Sequence, residues 1–445
     1  MAMFARRSLQ RFLIDLEGKL SFEARQKLVH ELNRQDASAL GYEWELALLF
    51  ALSRVGQVTY EAESQRGTRR PDIAFVEGQD GPIRFVADVA TISDAGLEAE
   101  NPVMRFSQSL HRLKRKCRLP GVLNYNIKGD SAGRNDRDRK MQLKLPRIAD
   151  LDRFLETHVG PEFRRIAEEK LATATITVNQ PGVEFSVTYA EGQRYSGGHY
   201  PSYTAAYSPT RNPVYTTLKA KARQLKQSGA TDPFGIFLCD GGCTLLAKTG
   251  RQPQQVSVDE VIAEFFRQNS SVSFVVILVF PPTRAEAFTG IVKELKITGR
   301  IYSNPRSSNA PPADKLLSLI NQGLAALPQP TATPRDALYW IARLEANEGR
   351  TIGTITHGGG LMSQTIKISA RKIQEVLAGK ITSQELFSEY ERPGERFQNP
   401  FERALRLGQT MDAISLTKIP DGDDDLLEVR FSVPDPAISK LKVNS

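Results

Sequence analysis

Cysteine is scarce in this chain. Three cysteines, Cys117, Cys239 and Cys243, are scattered over 445 residues, a number and spacing that exclude a disulfide framework. Cys239 and Cys243 have no second ligand pair at the spacing that would complete a zinc site. Because thiols stay reduced in the cytoplasm, the chain is expected to be cytoplasmic.

Long apolar runs are also missing. No run approaches the roughly 20 residues that a helix needs to span a bilayer, and the N-terminal residues read as an amphipathic helix without the apolar core of a signal peptide. The content of hydrophobic residues, 40%, and of charged residues, 25%, is ordinary for a globular protein. The net charge of +8 is only a mild bias towards a polyanionic partner.

Acidic residues stand inside otherwise apolar segments between residues 43 and 94. Residues 36–54 predict a helix that is apolar nearly all round yet carries Glu43 and Glu45. Desolvating a carboxylate is costly unless a cation or a donor compensates. Repeated acids in such segments therefore suggest a shared cation.

Three short strands are predicted after this helix. Residues 58–61 form the first, Asp72 opens the second, and residues 84–92 form the third, in which Asp88 interrupts an apolar run. Pro71 stands where a strand tolerates proline, at its start. A helix followed by a meander with acids at these places is typical of a metal site.

Pro71-Asp72, together with Asp88, resembles the motif of the PD-(D/E)xK nuclease superfamily, which has a restriction-endonuclease-like fold. The resemblance implies an αβββαβ core in which Asp72 and Asp88 hold Mg²⁺, with Mn²⁺ as a substitute. It also implies a metal-binding or catalytic role for Glu43, which matches the acid that many members carry on the preceding helix. The lysine expected two residues after the second acid is replaced by Ala90, but in some members this lysine has moved to the next core helix.

Helical periodicity selects a lysine that can take this place. Residues 212–226 predict a helix with an asparagine cap and a proline at its first position. At about 100° per residue, Lys221 falls inside the apolar stripe, where it needs an acidic or phosphate partner. Gln224 lies one turn away, and Lys114 is the second-ranked lysine. The apolar stripe consists of Val214, Leu218, Ala222 and Leu225.

Several polar segments are candidates for contacts with nucleic acid. Arg69 and Arg70 directly precede Pro71, and Lys114 belongs to a basic helix at 101–116. Together with Gln224, these residues are predicted to bind the nucleic acid. The basic loop at 130–145 either contacts phosphates or is simply solvated.

The expected fold class is α/β, with a large insertion in the nuclease-like core and a smaller α+β domain after it. The N-terminal helical segment covers 1–35, the nuclease-like domain 36–327 and the C-terminal accessory domain 335–445, after a proline-rich linker. The insertion covers about residues 95–210. Besides the basic helix at 101–116, one continuous helix is predicted in it at 150–171, and a short strand at 243–247 follows the core strand 233–240.

These patterns predict a Mg²⁺-dependent DNA endonuclease, for which restriction or phage defence and DNA repair are compatible roles. One alternative is a nuclease-like fold without activity that binds DNA or serves as an assembly subunit. The other is a scaffold whose C-terminal domain binds a partner. The expected partners are DNA, no membrane, and a second copy or another protein through the C-terminal domain.

Overall fold

The computed structural model describes most of the chain. The described residues are 3–34, 36–61, 70–77, 83–132, 140–193, 196–229, 231–247, 255–281, 295–338, 356–358, 365–383, 386, 399–420 and 422–438. The chain forms two compact units. The first comprises Met1–Phe4 and Arg11–Ile341, and the second comprises Ala5–Gln10 and Ala342–Ser445. The linker predicted before residue 335 thus belongs to the first unit.

The first unit contains both helices and strands. Its helices are α1 (Arg6–Asp15, whose first residues count with the second unit), α2 (Phe22–Leu32), α3 (Ala39–Ser53), α4 (Ala95–Glu100), α5 (Val103–Lys116), α6 (Leu151–His158), α7 (Gly160–Glu168), α8 (Pro213–Ser228), α9 (Thr244–Ala247), α10 (Val258–Gln268) and α11 (Ala313–Leu324). Its strands are β1 (Gln57–Tyr60), β2 (Ile73–Val76), β3 (Arg84–Ile92), β4 (Val122–Ile127), β5 (Gly129–Ala132), β6 (Lys140–Leu143), β7 (Thr173–Gln180), β8 (Val183–Ala190), β9 (Gly197–His199), β10 (Phe234–Asp240), β11 (Phe274–Val279) and β12 (Thr298–Ser303).

A six-stranded mixed sheet with the order β1-β2-β3-β10-β11-β12 forms the centre of this unit. The first three strands are antiparallel, β10 runs parallel to both β3 and β11, and β12 is antiparallel to β11. All six residues of β11 are buried, as expected for a strand covered on both faces. The chain is therefore of mixed α/β class, and the sheet extends beyond β10 as predicted.

Helices cover both faces of this sheet. Helix α8 and helix α10 bury their apolar stripes against Ala90, Ile236 and Ile277 on one face. Helix α3 packs with β1, β3 and α11. Its contact with α11 is close, because a Cβ at Gly323 would lie 2.6 Å from the Ala51 carbonyl oxygen. Only glycine fits there without a shift of the backbone.

The insertion between β3 and α8 has a sheet of its own, with the order β7-β8-β4-β9. Helices α5, α6 and α7 bury a separate apolar core with it. The prediction of one helix at 150–171 is wrong, because Pro161 lacks an amide hydrogen and starts α7 as a second helix. Part of the loop predicted at 130–145 is the hairpin of β5 and β6.

The strand predicted at 243–247 is also wrong, since these residues form the short helix α9. The Asp240 carboxylate accepts hydrogen bonds from the amides of Gly242 and Cys243, at 2.8 and 3.1 Å. These bonds turn the chain away from the sheet directly after β10.

The second unit is a smaller α+β structure. Its antiparallel sheet has the order β13-β14-β16-β15, formed by β13 (Thr356–Gly358), β14 (Thr365–Ser369), β15 (Met411–Thr417) and β16 (Leu426–Phe431). Two further helices span Ala370–Leu377 and Pro400–Arg406. In the described part of the chain, none of the helices combines the length and the apolar character that crossing a membrane requires.

Candidate functional site

Asp72 and Asp88 meet on neighbouring antiparallel strands. Ile73 pairs with Ala87, so Asp72, one residue before β2, lies opposite Asp88 in the middle of β3. The Asp72 amide donates to Asp88 Oδ1 at 3.3 Å, and Asp72 Oδ2 accepts a hydrogen bond from the Val89 amide at 2.7 Å. These bonds fix the two carboxylates at one point of the sheet.

Lys221 reaches this pair from helix α8. Its Nζ lies 3.2 Å from Asp72 Oδ2 and 3.9 Å from Asp88 Oδ2. Asp88 is almost fully buried, with 4% of its side chain exposed, whereas Lys219 and Lys226 of the same helix are exposed. The lysine chosen from helical periodicity is therefore the one that contacts both aspartates.

Ala90 explains why this amine comes from a helix. Side chains two residues apart on a strand share one face of the sheet, so Ala90 lies on the same face as Asp88. Ala90 is buried in the cluster that contains Leu218 and Ala222 of α8. Because its side chain is small, α8 packs directly on β3 and carries Lys221 over the aspartates.

Glu43 points elsewhere. Its Oε2 accepts hydrogen bonds from the amides of Met3 and Phe4, at 2.8 and 3.3 Å, so it anchors the N-terminal segment. Residues two positions apart on a helix are separated by about 200° around its axis. The Glu45 side chain therefore points in nearly the opposite direction to that of Glu43. The charge of Glu45 interacts with those of Asp72 and Lys221.

Glu45 is held in an environment that favours its proton. Burial first, and then the negative charge of Asp72, raises its pKa from 4.5 to about 7, although Tyr60 and Lys221 act in the opposite direction. The Tyr60 hydroxyl donates to Glu45 Oε2 at 3.1 Å. A carboxyl group that changes charge near neutral pH thus lies beside the aspartate pair, where it can give or take a proton.

Glu43 was selected from the family resemblance, and the helix itself could not correct this choice because α3 has almost no polar face. Nearly all of its residues are buried, so no apolar stripe indicates which acid faces the strands. The one usable signal was the spacing, since acids two positions apart on a helix cannot share a face.

The predicted nucleic-acid contacts lie in different places. Arg70 is exposed beside Pro71, and Gln224 is half-buried one turn after Lys221. Arg69 lies outside the described residues. Lys114, the second-ranked lysine, donates instead to the Gly121 carbonyl within the insertion, and burial lowers its pKa.

The positive charge of the basic helix α5 is partly neutralised by two acids of α6. Arg105 pairs with Asp152 at 2.6 Å, and Lys116 pairs with Glu156 at 3.0 Å. Ion pairs between exposed groups contribute little to stability, but they reduce the positive charge that this helix presents to a polyanion. The charge of α5 in the sequence therefore overstates its basic surface.

The two aspartates are a candidate site for a divalent cation. Among the described residues, no three histidine, cysteine, aspartate or glutamate side chains are grouped so as to hold a metal ion. Mg²⁺ keeps several waters and binds through one or two carboxylates, so Asp72 and Asp88 fit this ion as a pair of oxygen ligands. Glu43 accepts hydrogen bonds from the N-terminal segment and does not form a described group of three with them.

No protein-family model, curated protein or solved structure matches the chain. The functional conclusion therefore rests on the geometry around Asp72, Asp88, Lys221 and Glu45.

Proposed function

We propose that this chain is a Mg²⁺-dependent endonuclease that hydrolyses phosphodiester bonds in DNA. The observation that carries the proposal is the contact of Lys221 with Asp72 across 149 residues of sequence. A lysine on a packed helix face, directed at two opposed aspartates, fits the displaced-lysine form of the PD-(D/E)xK site. Restriction or phage defence and DNA repair are the proposed settings.

The order of elements supports the same proposal. Helix α3, the meander β1–β3, helix α8 and strand β10 follow one another in the sequence, and β10 lies parallel to β3. This order agrees with the αβββαβ core that the resemblance implies, with a large insertion between β3 and α8. The insertion and the second unit are additions outside this core.

Each residue of the site has a proposed role. Asp72 and Asp88 would hold Mg²⁺, which when bound would supply an activated water and neutralise charge on the phosphate. The Lys221 ammonium binds a non-bridging phosphate oxygen and stabilises the negative charge that develops during attack. Glu45, hydrogen-bonded to Tyr60, exchanges a proton near neutral pH.

The surface beside Lys221 carries positive charge for the DNA backbone. Arg70 next to the aspartates, and Lys219 and Arg223 on α8, are exposed. Contacts of such side chains with phosphates position a nucleic acid without reading its sequence, and they weaken as salt rises. DNA retention that decreases with salt is thus part of the proposal.

A second candidate function is a nuclease-like DNA-binding or assembly subunit without activity. It is favoured by the ion pairs that Lys221 already forms with both aspartates. Such pairs compensate buried carboxylates without a metal ion. The two candidates share the fold and differ in whether the aspartates take up a cation.

Incubation with DNA distinguishes the two candidates. Purified protein is mixed with supercoiled, linear and single-stranded DNA in Mg²⁺, Mn²⁺ or EDTA, and products are separated on gels. Cleavage that requires metal and is abolished by Asp72→Ala and by Lys221→Ala, but retained in Lys226→Ala, supports the nuclease. DNA retention without cleavage under all these conditions supports the second candidate, and cleavage that persists in both site variants rejects the assignment.

A further inference from the structure

Strand β7 is an exposed sheet edge without the features that protect such edges. It forms one side of the insertion's sheet and pairs with β8 over all eight of its residues without a bulge. Its sequence, TATITVNQ, contains no charged residue, proline or glycine. Natural edge strands are usually shortened, charged or bulged, because an unprotected edge pairs with another strand.

The other edges in the described part of the chain differ from β7. Strands β1, β5, β6, β9 and β13 have four residues or fewer, and β12 carries Arg300. Strand β15 has an irregular register between Met411 and Ala413 and carries Asp412. Strand β7 is therefore the longest described edge that is both regular and uncharged.

The backbone groups that β7 directs outward can be identified. The Glu191 amide donates to the Ala172 carbonyl at 2.8 Å, one pair beyond the end of β7. In an antiparallel ladder the bonded pairs alternate, so Ala174, Ile176, Val178 and Gln180 bond to β8. The amides and carbonyls of Thr173, Thr175, Thr177 and Asn179 consequently point away from the sheet.

The two faces of β7 differ sharply. Ile176 and Val178 are buried in the core that the insertion helices cover. Thr175, Thr177 and Asn179 are exposed on the opposite face. A strand added to this edge must therefore place apolar residues on the helix side and polar, uncharged residues on the other side, and β7 itself has this pattern.

We propose that β7 pairs antiparallel with β7 of a second copy of the chain, about a two-fold axis at Thr177. Only registers that place residues of the same face opposite each other keep both faces intact. An axis at Thr177 places Ile176 opposite Val178 of the partner subunit and Thr175 opposite Asn179 of the partner subunit. The outward amides and carbonyls then form about six backbone hydrogen bonds.

The two neighbouring registers that keep the faces intact are less favourable. An axis at Ile176 would place Val178 opposite Ala174 of the partner subunit, and an axis at Val178 would place Ile176 opposite Gln180 of the partner subunit. Neither forms the two isoleucine–valine pairs beneath the helices. The pairing at Thr177 extends the sheet and the apolar layer together. It also locates a dimer contact in the insertion, whereas the sequence had suggested the C-terminal domain.

A cysteine at the axis tests the register directly. Opposed residues in a bonded antiparallel pair have Cα atoms about 5.5 Å apart, within the range that a disulfide spans. In the full chain with Cys117→Ser, which leaves the buried Cys239 and Cys243, Thr177→Cys is expected to form a covalent dimer on mild oxidation. Thr175→Cys, exposed on the same strand, is the matched control and is expected to react at least tenfold more slowly.

Sedimentation equilibrium measures the dimerisation without a disulfide cross-link. The full chain is expected to dimerise reversibly with concentration, and Thr177→Lys, which brings two like charges to the axis, is expected to weaken the dimer at least tenfold. Asn126→Lys, exposed on strand β4 away from the edge, is expected to leave it unchanged. A chain that remains monomeric, a dimer that Thr177→Lys does not weaken, or equal cross-linking at positions 175 and 177 overturns the proposal.

Discussion

The Tyr60 hydroxyl donates a hydrogen bond of 3.1 Å to Glu45 Oε2, which joins strand β1 to helix α3 beside the aspartate pair. Burial raises the pKa of Tyr60 as well as that of Glu45, so the phenol stays protonated and serves as the donor. The pair gives the proposed active site a carboxyl group whose charge depends on pH in the neutral range. Its effect on stability can be measured separately from catalysis.

Glu45 is expected to make the protein less stable as pH rises. Its pKa is 4.5 when unperturbed and about 7 in the fold, so between these values the folded state binds more protons than the unfolded state. The free energy of unfolding should therefore fall across this window, by at most about 3 kcal/mol from this group. Urea unfolding of the wild type and of Glu45→Gln measures the effect.

The Glu45→Gln variant should have a flatter pH profile and be the more stable protein at about pH 8. Glu23→Gln, at a fully exposed position, is a control that retains the wild-type slope in this window. If the free energy of unfolding of wild type and of Glu45→Gln depended on pH in the same way, the Glu45 carboxyl group would be ionised throughout this pH window.

Glu43 is expected to be structural, in contrast to Glu45. Glu43→Gln weakens the hydrogen bonds to the amides of Met3 and Phe4, and the expected cost is about 1–3 kcal/mol in the free energy of unfolding. DNA cleavage measured well below the melting temperature should stay within about twofold of wild type, because the substitution lowers the stability of the fold and leaves the transition state of cleavage unchanged. A large loss of cleavage in a folded Glu43→Gln protein would show that Glu43 belongs to the active site.

Lys221→Ala is expected to lower the rate of DNA cleavage by about 10²–10³-fold, because a donor directed at the developing charge is lost. The measurement is the single-turnover rate in saturating Mg²⁺. Lys226→Ala, an exposed lysine of the same helix, should remain within about twofold. Equal loss in the two variants would indicate general weakening of DNA binding.

Mg²⁺ is expected to stabilise the folded protein through the aspartates. A ligand whose free concentration is 100 times its dissociation constant adds about 2.7 kcal/mol to the free energy of unfolding. This stabilisation appears as a higher melting temperature. Asp88→Asn should lose this increase, whereas Asp232→Asn, at a position just before β10, should retain it. The same shift in both variants would place the cation elsewhere.

Gly323→Ala is expected to destabilise the first unit. The added Cβ would lie 2.6 Å from the Ala51 carbonyl oxygen, and relief of such a clash costs about 1–3 kcal/mol. In Gly96→Ala the added Cβ meets no atom within 4 Å, so this helical substitution should be neutral or mildly stabilising. Chemical unfolding of both variants tests the close packing of α11 on α3.

The sequence by itself determined many of the local elements, the aspartate pair and the lysine of the candidate site. Strand β3 covers the predicted residues 84–92, and helix α8 begins after the predicted Asn212 cap, whose side chain accepts from the Tyr215 amide. Lys221 could be chosen because helical geometry fixes which side chains share a face. Asp88 could be chosen because a carboxylate inside an apolar strand requires compensation, and Asp72 because Pro71-Asp72 resembles the first nuclease motif.

Only the tertiary structure decided between Glu43 and Glu45, assigned Lys114 to the Gly121 carbonyl and left β7 as an edge. Helix α3 is buried on nearly all sides, so its own sequence does not indicate which of its faces contacts the strands. The partner of a buried polar group, and the neighbour of a strand, depend on residues far away in the chain. Periodicity reports how one element is divided into faces, whereas packing alone determines what each face contacts.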